Sequence, residues 1–197
     1  MEELRAKRAA RAAVARFVRA VASADLRALG RTFEPLEHFC QWEAALREIA
    51  CQPPPSMEVR EAFLRVWGSV GDALRSQVED DLVLLDGLRV LLPPYTGRAA
   101  VIYRGESAWA HTHGTYGPAW SLDESVADHH AQKGMCRHHE GGSVVLRTHA
   151  PAEAIIVERP GTAEAEVIVD RRKLGRVEEI RRYPQVRFRD STASGRT

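Results

Sequence analysis

The stretch AAVIYRGES, residues 99–107, runs from small and β-branched apolar residues into Tyr103, Arg104 and Gly105, and ends on Glu106 and Ser107. Its length and β-branched content read as a strand buried on at least one face. Arg104 is a permanent cation at the end of that strand. Gly105, beside it, has no Cβ to hold backbone away from a ligand. In isolation, Tyr-Arg-Gly is most simply a surface arginine in a strand-ending turn. Its neighbours in the chain decide whether that simple reading stands.

Downstream, short apolar runs alternate with glycine and proline: SVVLRTHA (143–150), EAIIVE (153–158) and AEVIVD (165–170). These read as further strands. One helix interrupts them, LDESVADHHAQKG (122–134), with Asp123 as its N-cap. Upstream the chain reads helical. EELRAKRAARAAVARFVRAVA (2–22) places Leu4, Ala12, Ala15, Val18 and Ala22 toward one face. Ser23 or Asp25 caps a short second helix ending near Gly30, and a third runs from Pro35 through Leu36, Phe39, Leu46 and Ile49 to Pro53, Pro54 and Pro55. Ser56 caps MEVREAFLRVWGSV (57–70), and DALRSQVEDDLVLLDGL (72–88) forms a fifth segment. The aromatic residues Phe39, Trp42, Phe63 and Trp67 belong to the core of this half. The expected organisation is therefore α+β. A helical layer covers 1–92, a small core of strands and one helix covers 97–190, and STASGRT (191–197) is a disordered polar tail.

Bulk properties exclude several classes. A net charge of +1 over 197 residues argues against a polyanion scaffold, although residues 1–31 hold eight Lys and Arg against three acids. A solvated helix face accounts most simply for that excess, with an acidic partner or nucleic acid as the alternative. Cys40, Cys51 and Cys136 are odd in number and form no CxxC pair, which describes a reducing, cytoplasmic setting. No window reads as a signal peptide or a membrane span.

Three elements of the second half stand in a telling order: YRGES at a strand, GTYGPAWSLDESVADHHA (114–131) as a glycine-rich approach to a short strand and helix, and TAEAEVIVD (162–170) with two glutamates one residue apart. Strand alternation would point those glutamates to the same face. In this order the elements resemble the mono-ADP-ribosyltransferase family of the Arg, Ser, Glu-x-Glu type, over residues 97–175. The resemblance implies that the core over 97–190 is a small split β-sheet and that NAD is the substrate. It gives Arg104 the NAD phosphate and ribose, and the Gly105 backbone the nicotinamide amide. It sets Ser121 on the serine-containing strand, makes Glu166 catalytic, and has Glu164 engage the acceptor. It also implies a protein or nucleic-acid acceptor, a toxin or effector role inside a cell, and a cognate inhibitor as partner. An NAD glycohydrolase and a non-catalytic NAD-binding protein are the alternatives on the same scaffold.

Elementary chemistry suits these residue types. Breaking the nicotinamide–ribose bond develops positive charge on the ribose, as glycoside cleavage does, and a fixed carboxylate attracts that charge most in the transition state. A guanidinium fork suits pyrophosphate. One departure stands out: the first serine of the family's serine-containing strand aligns with Ala119, and the lost hydrogen bond is worth about 0.5–1.5 kcal/mol. The loop ERPGTAEA (158–165) carries no aromatic residue to read an acceptor.

Seven of the eight histidines lie between 111 and 149, with Cys136 among them, yet no recognised zinc spacing appears. They read as polar loop or cleft residues, with a zinc-binding module built on this cluster as the lesser alternative, and no metal is expected. Trp120 alternates with Ala119 and Ser121, so it is core if Ser121 faces a cleft. Tyr116, in the glycine-rich GTYGP, is the ring expected near a ligand.

Overall fold

The computed structural model describes residues 1–159 and 163–186; the expected tail at 191–197 lies outside them. The chain forms two compact units, Met1–Pro94 and Tyr95–Thr197.

The first unit contains α1 (Glu2–Ala22), α2 (Leu26–Gly30), α3 (Phe33–His38), α4 (Trp42–Ala50), α5 (Met57–Gln77) and α6 (Asp81–Leu91). Asp25 caps α2 by accepting from the Ala28 N–H, and Ser56 caps α5. The apolar face of α1 is Ala13, Val14, Phe17, Ala20 and Val21, not the face through Leu4 and Ala15 read from the sequence. Phe17 fixes the phase: its ring meets Trp42 edge-on at 5.7 Å, while Leu4 is 52% exposed. The segment expected as one helix from Pro35 to Ile49 is two, α3 and α4. Cys40 turns the chain with φ 51°, and the Gln41 amide donates to the Phe39 and Cys40 carbonyls before Trp42 starts again. Conversely, α5 does not stop near Gly71. The Trp67 ring lies where a Gly71 Cβ would come within 3.1 Å, so the glycine serves packing and the helix continues to Gln77. Trp42, Phe63 and Trp67 are buried as expected, but Phe39 is half-buried against His38.

The second unit is mixed helix and sheet. Its strands are β1 (Ala100–Ser107), β2 (Ala119–Ser121), β3 (Ser143–Ala150), β4 (Ile155–Glu158), β5 (Glu166–Val169) and β6 (Glu178–Tyr183). They form one antiparallel sheet in the order β4-β5-β2-β1-β3-β6. Its helices are α7 (Ala108–His113) and α8 (Glu124–Lys133). β1 and β3 pair through eight residues, whereas β1 and β2 meet only at Tyr103 and Ser121. The sheet is thus nearly divided at its centre. One face carries Ile102, Trp120, Val144, Leu146, Val167 and Val169. On the other, Ala127 and Ala131 of α8 pack against Val145, flanked by Tyr103 and Tyr183. Neither α7 nor β6 was legible as a regular element. The sequence of β6, EEIRRY, spends its solvent face on charge, as edge strands do.

Candidate functional site

Three segments far apart in sequence meet on neighbouring strands. Tyr103 of β1 pairs with Ser121 of β2, and Ser121 pairs with Glu166 of β5. Cross-strand partners share a face, so Ser121 and Glu166 stand side by side. The Ser121 hydroxyl is buried; it donates to the Glu164 carbonyl at 2.7 Å and accepts the Asp123 N–H at 2.9 Å. Asp123 in turn caps α8 by accepting the Ser125 N–H. Ser121 therefore pins the Glu-x-Glu loop to the start of α8. Ala119, two residues earlier, shares its face and pairs with Ile168.

The two glutamates do not share an environment. Glu166 opens β5 and its side chain is 8% exposed, whereas that of Glu164 is 60% exposed. Ala165 between them has φ 42°, so strand alternation stops there and the same-face expectation does not hold. The Glu164 carboxylate lies 3.6 Å from His130 Nε2 on α8. Glu166 is in an ion pair with Arg159, whose backbone N–H also donates to the Glu166 carbonyl at 2.9 Å. Arg159 was not singled out in the sequence. The β4–β5 hairpin was its signal, because Glu158 pairs with Val167 and the next rung brings Arg159 to Glu166.

Arg104 points from β1 toward the entry of β2, one residue past the Tyr103 row and therefore on the Ile102 and Trp120 face. Its Nε donates to Glu106 at 2.8 Å, and its Nη1 donates to the Ala119 carbonyl. These contacts bridge the junction where β1 and β2 share a single backbone pair. Glu106 was missed although it sits two residues along the same strand, the spacing that faces it the same way. The glycine that gives the arginine room is Gly117, where a Cβ would stand 2.7 Å from the guanidinium. Gly105 instead faces α8: a Cβ there would stand 2.5 Å from the Ala131 nitrogen and closer still to the Ala127 carbonyl oxygen. Its missing side chain lets the helix lie on the strand.

Tyr116 is half-buried with its ring edge-on to Trp120, 6.0 Å between centroids, and Trp120 is core as expected. The Tyr116 hydroxyl lies 3.1 Å from His111 Nδ1, and burial, with the nearby Glu106 charge, pushes it above the usual phenol range. Burial likewise raises the Cys136 thiol, with Glu106 adding to the shift and Arg104 opposing it. Among the described residues no group of three or more His, Cys, Asp and Glu side chains is placed to hold a metal ion. No helix among them is long and apolar enough to cross a membrane.

Compared with protein-family models, curated proteins and solved structures, the chain gives no match.

Proposed function

We propose that the second unit is an ADP-ribosyltransferase-like core that cleaves NAD and transfers ADP-ribose to a protein side chain or a nucleic acid. The meeting of the three sequence elements on neighbouring strands, along the row Tyr103–Ser121–Glu166, carries this reading, with Arg104 on the opposite face from Ser121 and Glu166. The near-division of the sheet between β1 and β2 supports it further. In the reaction, the Glu166 carboxylate stabilises positive charge as the nicotinamide–ribose bond breaks. Glu164, more exposed and at the mouth of the same loop, meets the acceptor. Arg104 and Tyr116 both lie on the Trp120 face, opposite Glu166. Arg104 therefore holds the diphosphate only once Glu106 and the Ala119 carbonyl release it to swing round the β1–β2 junction. Tyr116, packed on Trp120, stays away from the bond that Glu166 serves. NAD must also displace Arg159 from Glu166, or be oriented by it.

A second reading, a non-catalytic NAD-binding or interaction protein on this scaffold, draws on one observation. Both Arg104 and Glu166 are engaged in internal ion pairs on opposite faces of the sheet, and Ala119, on the Glu166 face, offers no hydroxyl there. Incubating lysate with NAD labelled in the adenylate phosphate separates the two. Label that becomes covalently attached to macromolecules with wild type and not with Glu166→Gln supports transfer, and no labelling by either supports the binding protein. A nuclease or protease digest of the labelled fraction then identifies the acceptor class.

A further inference from the structure

We propose that the outward face of α1 is a docking surface for the phosphate backbone of a nucleic acid. At about 100° per residue, Arg5, Arg8, Arg16 and Arg19 fall within roughly 80° of one another, with Arg11 about 60° to one side. Arg8 lies opposite Phe17, the centre of the buried face, and all five arginines are exposed. They span about 21 Å along the axis at about 1.5 Å per residue. Over that length a duplex presents roughly a dozen phosphates.

The stripe differs from an ordinary solvated helix face in three ways. Solvated faces usually mix both signs, but the acids of α1 are confined to Glu2 and Glu3 in its first turn. Glu3 is taken by Lys7 at 2.6 Å, and among the described residues none of the five arginines forms an ion pair. All five are arginine rather than lysine, and a planar fork suits phosphate oxygens. Finally, Ala12 and Ala15 lie at the centre of the stripe, and its one large aliphatic is Leu4, exposed in the first turn and away from that centre. The face therefore has no central aromatic or aliphatic cluster of the kind protein interfaces are built around. A polyanion needs no such cluster, and the all-arginine composition suits phosphate, which together favour nucleic acid over an acidic protein. The remainder of the unit sharpens the polarity, since residues 32–94 hold five arginines and no lysine against eleven acids. A polyanion approaching this unit is steered to α1. None of this depends on NAD chemistry in the second unit.

The test is fluorescence anisotropy of the full chain with a labelled mixed-sequence 20-base-pair duplex, titrated between 50 and 200 mM salt. With all five arginines on phosphates, the slope of log K against log salt approaches about −4.5, a loss of about 500-fold across that range. Arg8→Gln with Arg16→Gln should reduce the slope by about 1.8, and replacing all five should abolish binding. Gln keeps helix propensity at these exposed positions, and circular dichroism verifies the fold of each variant. No binding at 50 mM salt overturns the proposal, as does binding that the substitutions leave unchanged. Tighter binding to a glutamate-rich peptide of equal charge would assign the face to an acidic protein and overturn it equally.

Discussion

Substituting Gly105 with alanine should destabilise the second unit, because the glycine is where α8 lies closest to the sheet. A Cβ there would stand 2.5 Å from the Ala131 nitrogen and closer to the Ala127 carbonyl, both backbone atoms of a helix interior. No rotamer change relieves a clash with backbone, so α8 must retreat by about 1 Å to regain van der Waals distance near 3.5 Å. That retreat loosens Ala127 and Ala131 from Val145, which are all buried. Overpacking of this kind costs about 1–3 kcal/mol, and the rigidity of the obstacle places Gly105→Ala at about 2–3 kcal/mol. For a unit of about 100 residues this is a fall of roughly 10–20 °C in Tm. Thermal and urea unfolding followed by tryptophan fluorescence and circular dichroism measures it. Gly175→Ala is the control, since no atom lies within 4 Å of its would-be Cβ, and its Tm should stay within a few degrees of wild type. If Gly105→Ala unfolds with wild-type Tm, α8 does not press on β1 as described. A loss confined to NAD affinity would return Gly105 to the role of a ligand contact.

Three further outcomes follow from individual contacts. Asp128 accepts from the Tyr183 hydroxyl at 2.6 Å, from Gln132 at 2.6 Å and from Arg181. Burial raises its carboxyl, but these donors outweigh burial and hold it below the usual carboxylate range. A depressed folded-state value adds stability that is present above about pH 4 and lost as the pH falls through the folded value. Asp128→Asn should therefore cost about 1–2 kcal/mol at neutral pH and flatten the acid limb of urea-unfolding stability, whereas an unchanged limb would refute the assignment. Gly87→Ala in α6 should destabilise the first unit despite a propensity gain of about 1 kcal/mol, because the new Cβ meets Leu46 Cβ at 2.9 Å and Cδ2 at 2.6 Å; a higher Tm would contradict this. Glu106→Gln releases Arg104 from its ion pair and removes the negative charge beside it. The proposed function then predicts NAD binding about three- to tenfold tighter by calorimetry, and weaker binding would make Glu106 part of the ligand site itself.

The apolar runs of β3, β4 and β5 were legible because burial on both faces leaves little room for polar residues, and β1 was legible from its β-branched start at Val101 and Ile102. So were the caps at Asp25, Ser56 and Asp123, where a side-chain oxygen has a local partner. Elements whose identity depends on tertiary partners were not. β6 shows only Ile180 and Tyr183 to the unit's interior, and its other positions are charged. The phase of α1 was set by Phe17 meeting Trp42, a contact that no window of the α1 sequence contains. The same distinction applies at the site. Arg104, Ser121 and Glu166 could be found by order and spacing, but the residues that hold them needed pairing information. Arg159 reaches Glu166 across a hairpin, and Arg104 reaches the Ala119 carbonyl across two strands. Glu164 left the strand because Ala165 adopts a positive φ, a conformation that its residue type does not announce.

On the proposed function, the Glu166 carboxylate stabilises the charge that forms as the nicotinamide–ribose bond of NAD breaks. Nicotinamide release by purified wild type and by Glu166→Gln, with matched circular dichroism and Tm, tests it most directly. Release by wild type and a fall of about 100- to 1,000-fold in the variant are expected, the scale of losing one electrostatic stabiliser in a dry site. Equal release by both proteins, or none by a folded wild type with or without lysate, would contradict it.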